Sequence, residues 1–367
     1  MKAIQLVPAM EEGGVERYTV LLNRILTEGG WENLVISAGG KLAAEIERDG
    51  GRHRVLDLKS KNPLTYFLRA AKLRRILIDE KPDVVCAHSR VPAWLLVWAS
   101  RGLPVRWMTY AHGANSISRY SRVMVRGELT MCPSTFIADY LTSAYGISAE
   151  RLRIVPHAVD STRFNPQRVD RAVVERFQAD WKIGPDQFVV MAIGRITRLK
   201  GYDALIRAMA RVKCPGCKLV IVGGAEPSKE SYLQELKALV KTLGLEASVV
   251  FAGGQSQIPE CLAVADVLVS ANTQKPEAFG LSMAEALMMG KPVIAKAFGG
   301  ALDIVRDGRD GILVPVEDTE EPSVAFAEAI DRIREMTFGD LRQEARRRFD
   351  LDVMTQKTRA VYGEFLK

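Results

Sequence analysis

A chain of 367 residues is longer than one hydrophobic core ordinarily supports, and 47% hydrophobic with 26% charged residues is the composition of a folded soluble protein, so two domains are the starting expectation. No apolar run approaches the roughly 20 residues that cross a bilayer, and Met1-Lys2-Ala3-Ile4 leads into a strand-like segment instead of a signal peptide, which points to the cytoplasm; five cysteines, an odd number, then argue for free thiols and against a disulfide framework. The formal charge of +7 lies in the first half, where residues 1–165 carry 23 Lys and Arg against 16 Asp and Glu, while residues 166–367 carry 28 of each. A basic half suits a membrane surface, a phosphorylated glycan or a nucleic acid, or is simply a solvated face.

Short β-branched runs alternate with amphipathic stretches. The runs 3–9, 33–39, 54–58, 83–89, 105–112, 129–134 and 152–159 read as strands, with Val15–Leu26 and Tyr66–Ile78 among the helical patterns between them. After a polar, charge-rich stretch near Asn165–Pro185 the rhythm restarts with strands over 188–196, 218–224, 249–254, 266–272, 292–297 and 311–316. The end is helical over Glu321–Glu335, a basic segment Arg342–Arg348 and a last amphipathic piece, Val353–Leu366. Strands spaced by helices imply parallel, doubly wound α/β sheets, here in two units. Such sheets place ligands beyond the carboxyl ends of their strands, so the loops directly after strands hold the informative residues.

The first such loop holds Gly13 and Gly14, which either make a simple turn or give backbone amides to a phosphate. It lacks the GxGxxG spacing of dinucleotide binding, which disfavours a dehydrogenase. His88 and His112 end strands of the first half, where an imidazole either donates to sugar hydroxyls or serves the structure. Gly194-Arg195-Ile196-Thr197-Arg198-Leu199-Lys200-Gly201 follows the first strand of the second half; Arg195 and Lys200 suit a diphosphate, Arg as a planar fork and Lys as a point charge, unless the loop is only solvated. Cys214-Pro215-Gly216-Cys217 spells CxxC but leads into a strand, so a Pro-Gly turn is expected there.

The segment 276–295 is the richest. Glu277 and Glu285 flank Phe279-Gly280-Leu281, where a helix begins. Gly280 allows close backbone approach, the new helix offers free amides to a phosphate, and the two carboxylates can accept from two sets of sugar hydroxyls. The competing reading is a capping box of Ser282 and Glu285. Asp350-Leu351-Asp352 spells the D-x-D of metal-sugar sites but lies in the terminal helical region, so no metal site is expected. Tyr66–Leu77 pairs an apolar face with a cluster of cations; it either lies on anionic lipid or packs against its own sheet, the commoner fate.

Taken together, GGVE, YAHG, IVPHAVD, GRITRLKG, PEAFGLSMAEALMMGKPVIA and GGALDIVRDGRDG, in that order along nearly the whole chain, resemble the retaining GT-B fold glycosyltransferases of the large fourth family. That resemblance implies two Rossmann-like domains facing a cleft, an acceptor domain over 1–165 and a nucleotide-sugar donor domain over 166–351, with a final helix, 352–367, crossing back to the first. It implies that Arg195 and Lys200, with Gly194, hold the donor diphosphate, and that Glu277, with Phe279, Gly280 and Leu281 beside it, binds the transferred sugar. Glu285 would take the ribose, Gly13 and Gly14 would contact phosphate, and His112 would line the reacting sugar. The implied partners are a nucleotide diphosphate sugar and a glycan or lipid-linked acceptor, with no metal cofactor and no nucleic acid. His157 and Ala158 stand where the family commonly has Asn and Gly, and Asp303 replaces the commoner Glu, but none of these carries an assigned role. The stretch 119–141 looks like bacterial enzymes that build lipopolysaccharide cores, which would work in the cytoplasm at the inner membrane's inner face. A nucleotide-sugar 2-epimerase of the same fold and a non-catalytic glycan-binding protein are the alternatives.

Overall fold

The computed structural model describes residues 1–226, 230–272, 274–315 and 322–366. The last residue of the expected strand 311–316, the first of the expected helix Glu321–Glu335 and Lys367 lie outside the described residues. The chain divides into two compact units, Met1–His157 with Asp352–Lys367, and Ala158–Leu351.

The first unit is built from β1 (Lys2–Leu6), α1 (Gly14–Glu28), β2 (Glu32–Ser37), α2 (Ala43–Arg48), β3 (Arg52–Val55), α3 (Tyr66–Glu80) and β4 (Val84–Ala87). It continues with α4 (Arg90–Ala99), β5 (Trp107–Tyr110), β6 (Thr130–Cys132), α5 (Thr135–Tyr145) and β7 (Leu152–Ile154). Its seven strands are ordered β3-β2-β1-β4-β5-β6-β7, all parallel. β4 is buried at every residue, so it reads as a continuous apolar run instead of an alternating one.

The second unit contains α6 (Arg171–Asp180), β8 (Phe188–Ile193), α7 (Tyr202–Met209), β9 (Cys217–Val222), α8 (Glu230–Thr242), β10 (Val249–Gly253), α9 (Ile258–Val264) and β11 (Val267–Ser270). There follow α10 (Leu281–Met288), β12 (Val293–Lys296), α11 (Ala301–Ile304), β13 (Gly311–Val314), α12 (Pro322–Ile333) and α13 (Leu341–Phe349), and then α14 (Leu351–Gly363). The six strands run β10-β9-β8-β11-β12-β13, again parallel. In each sheet the order reverses beside the first strand, between β1 and β4 and between β8 and β11. These are the switch points outside which open α/β sheets hold their ligands.

The unit boundary differs from the expectation. The units divide between His157 and Ala158, ahead of 165/166. Residues 158–165 belong with the second unit because Val159 bridges to Asp350, Phe164 is buried in the second unit's core, and Arg342 donates to the Ser161 and Phe164 carbonyls. Within the charge-rich stretch after Asn165, Asp170 caps α6 by accepting from the Ala172 and Val173 amides at 3.0 and 3.4 Å.

The terminal helix α14 packs with the first unit. Tyr362 donates to Gln5 at 3.1 Å, Arg153 pairs with Glu364 at 2.7 Å, and the Arg106 guanidinium lies 4.8 Å from the Phe365 ring centroid. Among the described residues no helix is long and apolar enough to cross a membrane.

Candidate active site

In the second unit the loop after β8 turns sharply at Gly194, whose amide donates to the Val222 carbonyl at 2.9 Å and whose carbonyl accepts from the Tyr202 hydroxyl at 2.7 Å. A Cβ on Gly194 would sit 2.9 Å from Lys200 Cε, so glycine is what lets the lysine chain lie against the strand end. The Lys200 ammonium pairs with the Glu277 carboxylate, which arrives from the loop after β11. Both side chains are mostly buried, at 26% and 19% exposure, so this pair is screened far less than a surface one.

Gly280, at φ +105°, starts α10 and makes no side-chain cap. A Cβ there would meet Met283 Cε at 2.1 Å and Glu277 Oε2 at 3.1 Å. The position therefore requires glycine both for its dihedral and for the carboxylate it shelters. Phe279 is buried, packing edge-on to Phe349, whereas Leu281 is exposed at 43%. Ser282 lies inside α10, so the capping-box reading of Ser282 and Glu285 fails: Gly280 holds the N-cap position. The Glu285 carboxylate makes no hydrogen bond or ion pair among the described residues. Burial pushes its carboxyl up to about 7, opposed by the charge of Arg163. Asn272, just beyond β11, is buried with its Oδ1 unpartnered among the described residues.

Arg195 is not joined to this group. It is 78% exposed and pairs with Glu226, beyond β9, at 2.9 Å. Its loop neighbour Arg198 binds Glu235 at 2.6 Å and stacks 4.6 Å from the Tyr232 ring centroid, so that cation is committed to holding α8.

In the first unit the carboxyl ends of β4 and β5 bring His88 and His112 within 3.0 Å of each other, Nδ1 to Nε2. His157 stacks 6.0 Å from His112, and Tyr110 stacks at 4.2 Å. Burial pushes His88 down to about 3 and His157 to about 4; burial, then the neighbouring histidines, holds His112 well below the usual imidazole range. These rings are therefore neutral at physiological pH. A cavity of about 220 Å³ opens here, lined by His88, His112, Arg90 and Glu16 among others. Gly13 precedes α1 in extended conformation, and a Cβ on it would collide with the Glu16 carboxylate at 2.3 Å; Gly14 meets nothing within 4 Å.

The two motif readings set aside above have structural explanations. Cys214 and Cys217 are free and buried, and burial pushes the Cys217 thiol up to about 12, which leaves it a poor nucleophile. Asp350 accepts from the Ser161 hydroxyl at 2.7 Å and from Arg346 at 3.3 Å, a joint between segments of the second unit.

Comparison with known proteins decides the family. Residues 173–349 match the model of the glycosyl transferases group 1, and residues 12–163 match that of glycosyltransferase family 4. The lipopolysaccharide core biosynthesis glycosyltransferase LpsE of Rhizobium meliloti is 30% identical over 331 residues, covering 88% of this chain and 86% of that protein. The chain belongs to the GT-B glycosyltransferases. A solved glycosyltransferase from Rickettsia africae superposes on this one with a TM-score of 0.88 at 25% identity, over 100% of this chain and 98% of the other. The Anabaena protein Alr3699/HepE, solved with UDP and glucose, gives a TM-score of 0.81 at 23% identity over 99% of each chain, a likeness of fold. A D-inositol 3-phosphate glycosyltransferase of Actinosynnema mirum is 34% identical over 62% of this glycosyltransferase, which spans 55% of that relative.

Sequence reading missed Asn272, Arg163 and Glu226, as well as Gln5 and Tyr362, which join the histidine group through His88. Asn272 ends a strand at a switch point, so its position was available as a signal. Gln5, inside β1, and Tyr362, in the last helix, carry no local signature.

Proposed function

We propose that this glycosyltransferase moves a hexose-type sugar from a nucleotide diphosphate carrier to a glycan or lipid-linked acceptor, with retention of anomeric configuration, in the assembly of bacterial lipopolysaccharide or a related surface polysaccharide. The observation that carries the reading is the sheltered Lys200–Glu277 pair at the second sheet's switch point, beside the bare backbone of Gly280. Its contact sets a cation suited to phosphate directly against an acceptor suited to sugar hydroxyls, the same adjacency as in a sugar-phosphate linkage. The relationship to a lipopolysaccharide core glycosyltransferase supports the pathway.

In this mechanism the second unit binds the donor. Lys200 turns from Glu277 to the diphosphate, Arg195 exchanges Glu226 for a second phosphate contact, and Gly194 and the first amides of α10 let the anion approach. Glu277, freed, accepts from hydroxyls of the transferred sugar, and Glu285 accepts from the ribose. As the glycosidic bond breaks the departing oxygen gains charge, and the preorganised cations and amides stabilise it without a divalent ion. The acceptor hydroxyl attacks from the face the diphosphate leaves. His112 lines the reacting sugar, and Gly13 and Gly14 supply amides for phosphate.

The first unit also offers an anionic lipid surface a docking face. Residues 59–126 carry 13 Lys and Arg against three acids, Asp79, Glu80 and Asp83. α3 buries Ala70, Leu73, Ile76 and Leu77 against its own unit, yet Phe67 and Leu68 remain 61% and 66% exposed, and Leu64 just before it 85%. Arg69 is buried and donates to the carbonyls of Asp57, Ser60, Asn62 and Thr65, which holds that loop in place. Phe67 meets Trp98 edge-on at 5.2 Å, and Arg101 and Arg126 lie 4.1 and 5.5 Å over Trp98 and Trp94. Apolar side chains ringed by cations favour anionic headgroups over a neutral surface, so the enzyme works at the cytoplasmic face of the inner membrane. Phe67→Asp with Leu68→Asp should abolish sedimentation with anionic vesicles; binding that survives, or that is equal on neutral vesicles, removes this part of the proposal.

A thermal-shift screen of nucleoside diphosphates and nucleotide sugars should show a raised midpoint for one base, unchanged by chelator. Donor incubated alone should hydrolyse slowly; a new nucleotide sugar would make the enzyme a 2-epimerase. Full turnover and donor affinity in an Arg195→Ala, Lys200→Ala double variant would overturn the diphosphate assignment.

A further inference from the structure

A chain of buried side-chain hydrogen bonds crosses the first unit, and one end of it has no choice of direction. The Ile46 carbonyl can only accept, so Asn23 must turn its Nδ2 toward it, at 3.1 Å. That leaves Asn23 Oδ1 to accept from Asn33 Nδ2 at 2.8 Å, and Asn33 Oδ1 to accept from Gln5 Nε2 at 3.1 Å. Gln5 Oε1 is then an acceptor for two neighbours, the Tyr362 hydroxyl at 3.1 Å and His88 Nε2 at 3.0 Å. His88 must carry its proton on Nε2. Being neutral, it offers a lone pair at Nδ1, to which His112 donates from Nε2 at 3.0 Å. His112 is neutral as well, so its Nδ1 is a lone pair. That atom is inaccessible to water and has no hydrogen-bond partner among the described residues.

Rotating any one amide of the chain would set oxygen against oxygen or N–H against N–H at its neighbour. The mismatch would pass along to Ile46, which cannot donate. Gln5, Asn23 and Tyr362 are fully buried, and Asn33 and His88 are 2% and 3% exposed, so water cannot relieve the mismatch cheaply.

We propose that Gln5, Asn33, Asn23 and Tyr362 are positioning residues that fix the proton order of the His88–His112 pair, so that His112 presents an acceptor at Nδ1 and takes a hydroxyl donor instead of an anion. The relay ties the last helix, through Tyr362, to the imidazole at the end of β5. Its functional side rests on the proposed role of His112 at the reacting sugar. A phosphate or carboxylate has no proton to give this nitrogen, whereas a sugar hydroxyl does.

The test is the ring-nitrogen NMR spectrum of the full chain, labelled with ¹⁵N in histidine, near neutral pH without ligand. His88 and His112 should both appear as Nε2–H tautomers. A His112 that carries its proton on Nδ1, or on both nitrogens, would overturn the relay with no variant needed. In Gln5→Leu, His112 should become a mixture of tautomers and kcat should fall about tenfold, the worth of roughly one hydrogen bond, while the donor KM stays within about twofold. Tyr362→Phe, a milder change if Gln5→Leu fails to fold, should keep the tautomer and lower kcat by about threefold. An unchanged His112 spectrum and unchanged kcat in both variants would sink the proposal. Saturation with donor should shift the His112 Nδ1 signal; the expected tautomer with no such shift would refute the sugar-facing role of His112 while leaving the proton order standing.

Discussion

The two units solve the same topological problem with opposite chemistry. In the first, the rings gathered around His112 are neutral, with His88, His112 and His157 all held below the imidazole range by burial, and the charged Arg90 and Glu16 line the same cavity. In the second, the groups beyond β8 and β11 are charged: Lys200 against Glu277, Arg195 against Glu226, and Glu285 with its carboxyl raised by burial. A neutral, direction-fixed hydrogen-bond chain suits hydroxyls, whose recognition depends on who donates. The mostly buried Lys200–Glu277 pair and the exposed Arg195–Glu226 pair suit a diphosphate, which can take the two cations while sugar hydroxyls donate to the released Glu277. The contrast fits the proposal that the anionic part of a donor binds the second unit.

The sharpest way to break the contrast is to remove the charge that the second unit holds closest. Lys200→Ala should lower kcat by about 100-fold or more, the usual cost of deleting a preorganised group aimed at developing charge, whereas Lys200→Arg should recover part of it. Steady-state rates on both variants check this. A loss in Lys200→Ala no larger than the roughly tenfold set for Gln5→Leu would erase the distinction between the units.

A second, smaller effect is tied to pH. Glu285 has its carboxyl raised from the ordinary 4.5 to about 7, mainly by burial. The native state therefore holds this proton more tightly than the unfolded chain does. Stability from this site is fully present below the ordinary value and is lost as pH rises from 4.5 to about 7. Glu285→Gln should remove that slope, so the gap in melting midpoint between variant and wild type should widen across the window in the variant's favour. If the ionised form accepts the ribose hydroxyls, donor affinity should fall by up to about tenfold per pH unit below pKa 7, and this dependence should vanish in Glu285→Gln. Calorimetric titration at several pH values separates the two.

The smallest expected change comes from the first unit. His157→Asn puts the residue common in the family beside His112 and should change kcat by less than about threefold, because an amide can stand beside the ring without altering the Ile46-to-His112 proton order. A tenfold loss would mean that His157 takes part in the chemistry.

The sheets were legible from sequence because buried parallel strands are continuous apolar runs, and every expected strand has a counterpart in the structure. The unit boundary was not legible. Residues 158–165 are mostly polar and loop-like, and it is the burial of Phe164 and the contacts with Arg342 and Asp350, far along the chain, that assign them to the second unit. The basic segment Arg342–Arg348 carried no sign of its partners: Arg342 binds the Phe164 and Ser161 carbonyls and Arg348 binds Asp310 at 3.0 Å. At the site, Gly194, Gly280, Lys200 and Glu277 could be singled out because they follow strands. Their mutual contact could not, since Lys200 and Glu277 stand 77 residues apart. Gln5 and Tyr362, 357 residues apart, look like an ordinary strand polar residue and an ordinary helix aromatic, and only the fold makes them one hydrogen-bonded pair.

Calorimetric titration of wild type and Lys200→Ala with a nucleoside diphosphate and with the matching unphosphorylated nucleoside tests the division of labour most directly. The diphosphate should bind at least about tenfold more weakly to the variant, the scale of one charge-assisted hydrogen bond, while the nucleoside binds both equally. Equal diphosphate affinity in the two proteins would contradict the account.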